Sequence, residues 1–258
     1  MRTAELGREL YELERGQRTR GQISEEFPDL SGDDAYAVQE EYAKLRLADG
    51  AKLVGRKIGL TSRAMQEMFG ISDPDYGHLF DDMAIANGGD VRTSELIQPM
   101  VEIEVAFVLG RDLGGPGVDR DAVIAATESV APSIEIIDSR ITNWAIGFVD
   151  TVADNGSSAR YIIGDGRADP SKIDVPSVVG EMWRNGELVS SAPASAVLDG
   201  HPADGVAWLA NAIGPYGRTL HAGDVVLSGA LMRAVPASKG DHFEARFPDL
   251  GVASCRFV

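Results

Sequence analysis

The sequence predicts an α+β protein, with a β-rich core of mixed or mostly antiparallel sheet preceded by a helical segment. Three observations carry this. Leucines recur at helical spacing near the start of the chain. From residue 53 onward the texture changes to short apolar runs punctuated by glycine. Those runs do not alternate with helices as a doubly wound parallel sheet requires. With 258 residues the chain suffices for one large domain or one domain with a small appendage, divided here into a helical segment 1–52 and a β-rich catalytic domain 53–258.

Taken in order, residues 3–15 place Leu6, Leu10 and Leu13 on one helical face. Ser31 is a natural N-cap for a second helix, whose inner face carries Ala35, Val38, Tyr42 and Leu45 and which stops near Gly50. "LVGRKIGLTS" reads as a strand, "RAMQEMFGI" as a short helix and "DPDYGHLFDDM" as a polar loop. "VEIEVAFVLG" is the best strand; "DRDAVIAATESV" reads as a helix leading into a further strand, "APSIEIIDSR". "SARYIIGDG" is strand and turn, and "EMWRNGELVSSA" folds back at Asn185-Gly186, a strong hairpin signal. "GVAWLANAI" is a small amphipathic helix, and several strands close the chain.

The bulk composition narrows the class of function. Forty acidic against 24 basic residues give a formal charge of −16, which repels nucleic acid and anionic membranes, so neither is expected as a partner. An anionic small substrate would need a local positive centre. No apolar run approaches the ~18–20 residues of a membrane span, and the charged N-terminus lacks the apolar stretch of a secretory signal. The single Cys255 excludes an internal disulfide and a cysteine-based zinc cluster, which together point to the cytoplasm.

One strand contains an anomaly. In "QPMVEIEVAFVLG", Val101, Ile103, Val105 and Phe107 alternate with Glu102, Glu104, Ala106 and Val108. Two carboxylates at i and i+2 share a face about 6.7 Å apart. Both ionised, they repel by about 2.5 kcal/mol at an effective dielectric near 20. Ala106 and Val108 on that face suggest that it is partly buried, where an acidic pair needs a cation, a proton or basic partners. Glu135, between Ile134 and Ile136, is a third carboxylate where an apolar residue is expected. Three carboxylates without a nearby His or Cys make a hard oxygen site suited to Mg²⁺ or Mn²⁺; solvated strand carboxylates are the alternative.

Lys57, between glycines in an apolar strand, is either a lysine whose pKa burial lowers or a snorkelling edge residue. Asp75 and His78 offer acid–base groups or simply a turn. "VADNGSSAR" offers Asn155, Ser157 and Ser158 as donors, or a plain loop. "GPGV" and "GDG" lack the strand-to-helix setting of a phosphate loop, and the scattered His201, His221 and His242 read as surface residues.

Read together, "GRKIGLTSRAMQEMFG", "PDYGHLFDDM", "LIQPMVEIEVAFVLGRDLGGPGV", "PSIEIIDSRITNW", "DTVADNGSSARYIIG" and "DVVLSGALMRAVPASKGD" resemble the 2-keto-4-pentenoate hydratase/4-oxalocrotonate decarboxylase family of the fumarylacetoacetate hydrolase superfamily. The resemblance covers most of residues 53–243 and implies a roll of mixed sheet. It implies Glu102, Glu104 and Glu135 as ligands of a divalent metal, Mg²⁺ or Mn²⁺, with Lys57 and Asp75 handling protons beside it. Ser157, with Ser158 its neighbour, matches the serine that holds a substrate carboxylate; Gly156 stands where the family pattern has alanine. No histidine precedes His78, which argues against the superfamily's C–C hydrolases with their N-terminal lid histidine.

The function so implied is a hydro-lyase adding water to 2-hydroxypenta-2,4-dienoate or a close homologue, from aromatic or steroid ring cleavage. A decarboxylase of a vinylogous 2-oxo diacid is the nearest rival, and a non-catalytic protein that binds a divalent ion the more distant one. The family also implies a homo-oligomer and allows a complex with a pathway enzyme.

Overall fold

The computed structural model describes residues 2–61 and 74–258; the helix expected over "RAMQEMFGI" lies outside them. Three helices open the chain, α1 (Arg2–Gly16), α2 (Ile23–Glu26) and α3 (Gly32–Ala48). α1 buries Leu6, Leu10 and Leu13 against α3, as their spacing predicts. Ser31 caps α3 reciprocally: its hydroxyl accepts from the Asp34 amide at 3.1 Å, and the Asp34 carboxylate accepts from the Ser31 amide at 2.9 Å. Such a box contributes about 1 kcal/mol. Among the described residues, no helix is long and apolar enough to cross a membrane.

The first sheet has eight strands: β1 (Leu53–Gly59), β2 (Asp75–Phe80), β3 (Ala84–Ile85), β5 (Met100–Leu109), β6 (Thr127–Ile137), β7 (Ser158–Ile163), β10 (Val225–Leu227) and β11 (Val235–Pro236). Its order is β2-β1-β10-β5-β6-β7-β3, with β11 on β5. β1–β10 and β3–β7 run parallel and the other pairs antiparallel, so the sheet is mixed. It curls until β2 touches β7. The second sheet comprises β4 (Gly89–Val91), β8 (Val179–Arg184), β9 (Glu187–Pro193), β12 (His242–Phe247) and β13 (Gly251–Phe257), in the order β4-β13-β12-β8-β9. The turn between β8 and β9 is the Asn185-Gly186 pair, both at positive φ (55° and 83°), as a two-residue hairpin of this hand requires.

Apolar patterning explains the layering. Val101, Ile103, Val105 and Phe107 of β5 join Phe243, Phe247 and Phe257 in the main core. Each such side chain contributes about 1.5–3 kcal/mol by leaving water. The opposite face of the first sheet is covered too: Ala106, Leu227, Leu79 and Tyr161 pack with Tyr42 of α3. The helical segment therefore seals the concave side on which the glutamates lie. Among the described residues, three further helices follow: α4 (Arg120–Ala126), α5 (Phe148–Ala153) and α6 (Pro202–Ile213).

Three readings differ from the expectation. "DPDYGHLFDDM", expected as a polar loop, carries the buried strand β2, because Tyr76 to Phe80 pair with β1 in the ladder; the other two are boundaries. The helix read through "DRDAVIAATESV" ends at Ala126, and β6 begins at Thr127, before the "APSIEIIDSR" run. The ladder to β5 claims Thr127 and Ser129, opposite Leu109 and Val108, and overrides the helical spacing. α6 starts three residues before "GVAWLANAI", because His201 Nδ1 accepts from the Ala203 amide at 3.1 Å and caps the helix. That histidine, expected at the surface, is half-buried.

Candidate active site

Strand register assembles the acidic group. β5 and β6 pair with Glu102 opposite Glu135 and Glu104 opposite Ser133, so alternation along β5 and pairing across to β6 place all three carboxylates on the concave face. Each offers one oxygen, and these lie within 4.8 Å of one another. Glu104 and Glu135 are fully buried; Glu102 is half-buried, on the open side. One Glu104 oxygen accepts the Gly229 amide at 2.7 Å. Neither oxygen of Glu135 has a hydrogen-bond partner among the described residues. Burial, then repulsion from Glu135, pushes Glu102 up to about 7, and burial with repulsion from Glu135 and Glu102 raises Glu104 well above the carboxylate range.

This donor set fits a divalent ion of the hard, oxygen-seeking kind. Two unpartnered buried oxygens and like charges in contact are costly unless a cation completes them, and all the available ligands are carboxylate oxygens. The alternative of solvated strand carboxylates does not describe Glu104 and Glu135.

β1 and β2 supply the neighbouring groups. Lys57 lies opposite Gly77 of β2 and Leu227 of β10, and Leu227 lies opposite Ala106, which shares the face of Glu104. Asp75 lies opposite Gly59 on the same face as Lys57. The two side chains converge over Gly59: a Cβ there would stand 2.1 Å from Asp75 Oδ1 and 2.9 Å from Lys57 Nζ. Burial in itself pushes Lys57 down, but the fields of Glu135, Asp75, Glu102 and Glu104 outweigh it and its pKa is raised. The lowered pKa expected from burial alone is thus corrected; the cationic form is favoured. Asp75 is raised by burial, against the pull of Lys57, the Gly59 amide and Thr151.

Ser157 is buried, with its hydroxyl donating to Asp154 Oδ2 at 3.1 Å. Its neighbour Ser158 is fully buried, and its hydroxyl has no partner among the described residues. Gly156 adjoins Lys57 so closely that a Cβ would meet Lys57 Cε at 2.4 Å. At φ 59° a side chain at 156 would be strained, and it would press on the far end of Lys57. The structure brings Lys57, Asp75, Glu102, Glu104, Glu135 and Ser157 to one region. His78 does not join them. It lies on the other face of β2, with Nε2 3.3 Å from Glu40 and Nδ1 3.2 Å from Asn155 Oδ1.

Several supporting residues escaped the sequence reading. The Gly229 amide carries no side-chain signal. Gln39 donates to the carbonyls of Tyr76 and Val152 at 2.9 and 2.8 Å, joining β2 to α5. Its signal was a polar residue beside Val38 on a buried helix face.

Comparison with known proteins identifies the family and the fold. Residues 62–258 match the fumarylacetoacetate (FAA) hydrolase C-terminal family. The chain is 44% identical over 254 residues to a 2-hydroxyhexa-2,4-dienoate hydratase of Comamonas testosteroni, covering 98% of this chain and 96% of that one. It is 42% identical over 255 residues to a 2-oxo-hept-4-ene-1,7-dioate hydratase of Escherichia coli, with 95% of each covered. Among solved structures, the 4-oxalocrotonate decarboxylase from Pseudomonas putida G7, complexed with magnesium and adipate, superposes with a TM-score of 0.96 at 37% identity, over 100% of this chain and 97% of that one. With the mixed roll, the helical segment and the three converging carboxylates already in place, the chain belongs to the fumarylacetoacetate hydrolase family, in the branch that holds the 2-keto-4-pentenoate hydratases and the 4-oxalocrotonate decarboxylases.

Proposed function

We propose that this chain is a metal-dependent hydro-lyase that adds water to 2-hydroxypenta-2,4-dienoate or a close homologue, giving a 4-hydroxy-2-oxoacid in the catabolism of aromatic or steroid rings. The observation that carries the reading is the trio Glu102, Glu104 and Glu135, two buried and one half-buried, each offering an oxygen within 4.8 Å of the others and beside Lys57 and Asp75. The similarity to hydratases over nearly the whole length of both chains supports it.

The three glutamates would hold Mg²⁺ or Mn²⁺, which when bound supplies Lewis acidity toward the substrate's carboxylate and 2-oxygen. Ser157 would orient the substrate carboxylate by turning its one hydroxyl proton from Asp154 Oδ2 to that carboxylate. Lys57, kept cationic by the surrounding carboxylates, is placed to deliver a proton at the terminal carbon as the enol proton departs. Asp75 is placed to orient or deprotonate the water that adds at the carbon β to the new ketone; the two proton roles are exchangeable between Lys57 and Asp75. The balance closes: ketonisation moves one proton from the 2-oxygen to carbon 5, and one water then enters with its hydroxyl at carbon 4 and a proton at carbon 3, so no group leaves.

A second reading is favoured by the full-length superposition on a decarboxylase. The same site acting on a vinylogous 2-oxo diacid would release CO₂. Assaying pentadienoate, hexadienoate and diacid substrates for loss of dienol absorbance and for CO₂, with and without added divalent ion, separates the two. Hydration without CO₂ supports the hydratase; CO₂ from the diacid alone overturns it.

The substrate is a small anion on either reading. We further propose a cytoplasmic homo-oligomer, able to associate with a pathway enzyme. Exposed Val179, Leu188 and Val189 on the β8–β9 hairpin support the oligomer.

A further inference from the structure

We propose that the buried pair Arg140–Asp154 is a positioning device that sets Lys57 and Ser157 by holding the turn 155–157 against them; the inference rests on the roles proposed above for those two residues. Asn155, Gly156 and Ser157 have φ of 57°, 59° and 54°, three successive left-handed residues of which only one is glycine. L-residues with side chains adopt that region at a cost, so a run of them persists only where the surroundings over-determine it.

The surroundings do so from both sides. Arg140 and Asp154 are each 1% exposed. Arg140 Nε lies 2.6 Å from Asp154 Oδ1, and the guanidinium donates to the carbonyls of Asp138 and of Asp154 itself. The other carboxylate oxygen, Asp154 Oδ2, accepts three donors at 3.1 Å: Ser139 Oγ, the Arg140 amide and Ser157 Oγ. The Asp138 amide donates to the Ser157 carbonyl at 2.7 Å. On the far side of the turn, Asn155 Oδ1 accepts from the His78 amide at 2.7 Å, and Asn155 Nδ2 donates to the His78 carbonyl at 3.0 Å. The segment 138–140 that follows β6, and strand β2, thus clamp the turn between them.

Its two outputs face the chemistry. The α-carbon of Gly156 forms the wall against which Lys57 lies, with room for a hydrogen and none for a methyl. Asp154 Oδ2 fixes Ser157 Oγ by accepting its proton, which is the proton that turns to the substrate carboxylate on binding. A buried ion pair is a poor source of net stability but, when its hydrogen bonds are made, an effective source of a fixed geometry. Arg140 and Asp154 are accordingly positioning residues.

The test uses the full-length holoenzyme. In Asp154→Asn, kcat falls at least 30-fold, while Mn²⁺ affinity measured by titration stays within about threefold. A cycle with Ser157→Ala is non-additive, because both substitutions act on one hydroxyl. Should the single variant not fold, Arg140→Gln/Asp154→Asn removes both charges and leaves polar partners, and the same loss is expected. Ser139→Ala, which removes one tie and leaves the charges paired, lowers kcat threefold or more. Wild-type kcat in whichever Asp154→Asn protein folds, single or double, or in Ser139→Ala, with Lys57→Ala inactive, overturns the positioning role alone. Full activity in both Lys57→Ala and Ser157→Ala overturns the proposed function, and this inference with it.

Discussion

Glu104 is 1% exposed, shares its pocket with two other carboxylates, and accepts a hydrogen bond from the Gly229 amide. At the residue scale this is a group whose charge is costly without a cation. Glu104→Gln is expected to cut metal-dependent turnover at least 100-fold; the metal-free variant should melt no lower than the metal-free wild type, since a repelled buried charge is lost. Steady-state kinetics and thermal melts check both halves. Lys57→Ala is expected to lower kcat by two orders of magnitude or more with KM changed much less, as loss of a proton-transfer group requires. Unchanged turnover would make Lys57 structural. The glutamate pair was legible because a carboxylate at alternate positions of an apolar strand violates the strand's own pattern. The direction of the Lys57 shift was not, because it is set by Glu135, Asp75, Glu102 and Glu104 through space, at separations that chain order does not encode.

At the scale of elements, what matters is which strands lie side by side. β5 and β6 are joined by α4, and their pairing turns two unrelated sequence anomalies, the 102/104 pair and Glu135, into one cluster. The sequence marks both strands but not their adjacency, which the β5–β6 ladder supplies; the start of β6 at Thr127 is hidden because the helical spacing of "DAVIAATESV" continues past the point where that ladder takes over. β1 and β2 meet with Gly59 opposite Asp75, and the absence of a side chain there is what admits the carboxylate. Gly59→Ala is expected to displace Asp75 and lower kcat at least 30-fold without weakening metal binding, because the glutamates sit on other strands. Parallel kinetics and Mn²⁺ titration decide it; wild-type kcat would show that Asp75 does not act from this position.

At the scale of the molecule, the helical segment is more than an appendage. Glu40 and Gln39 of α3 reach His78, Tyr76 and Val152, so the residues that open the chain brace the strand carrying Asp75. Sequence patterning showed that α3 was amphipathic but not what its polar residues touched, since those partners lie 37 or more positions away. His78 is held low by burial and by Arg56, against Glu40 and Asn155. A base whose folded pKa is depressed binds fewer protons in the native state than in the unfolded chain. Stability is therefore full above the unfolded value of about 6.5 and falls as pH drops below it, by at most about 1.4 kcal/mol per pH unit. Denaturant titrations from pH 7.5 to 5 should show this slope reduced in His78→Gln; equal slopes would mean that His78 is not buried in its neutral form.

The proposed function turns on one ion that the three carboxylates would hold. The most direct measurement is Mn²⁺ titration of chelator-stripped protein followed by electron paramagnetic resonance, with dienoate hydration assayed on the same samples. One site per chain, activity that returns in step with its filling, and loss of both in Glu135→Gln are the expected results. Full hydration by the stripped protein, or Mn²⁺ binding unchanged in Glu135→Gln, would contradict the account.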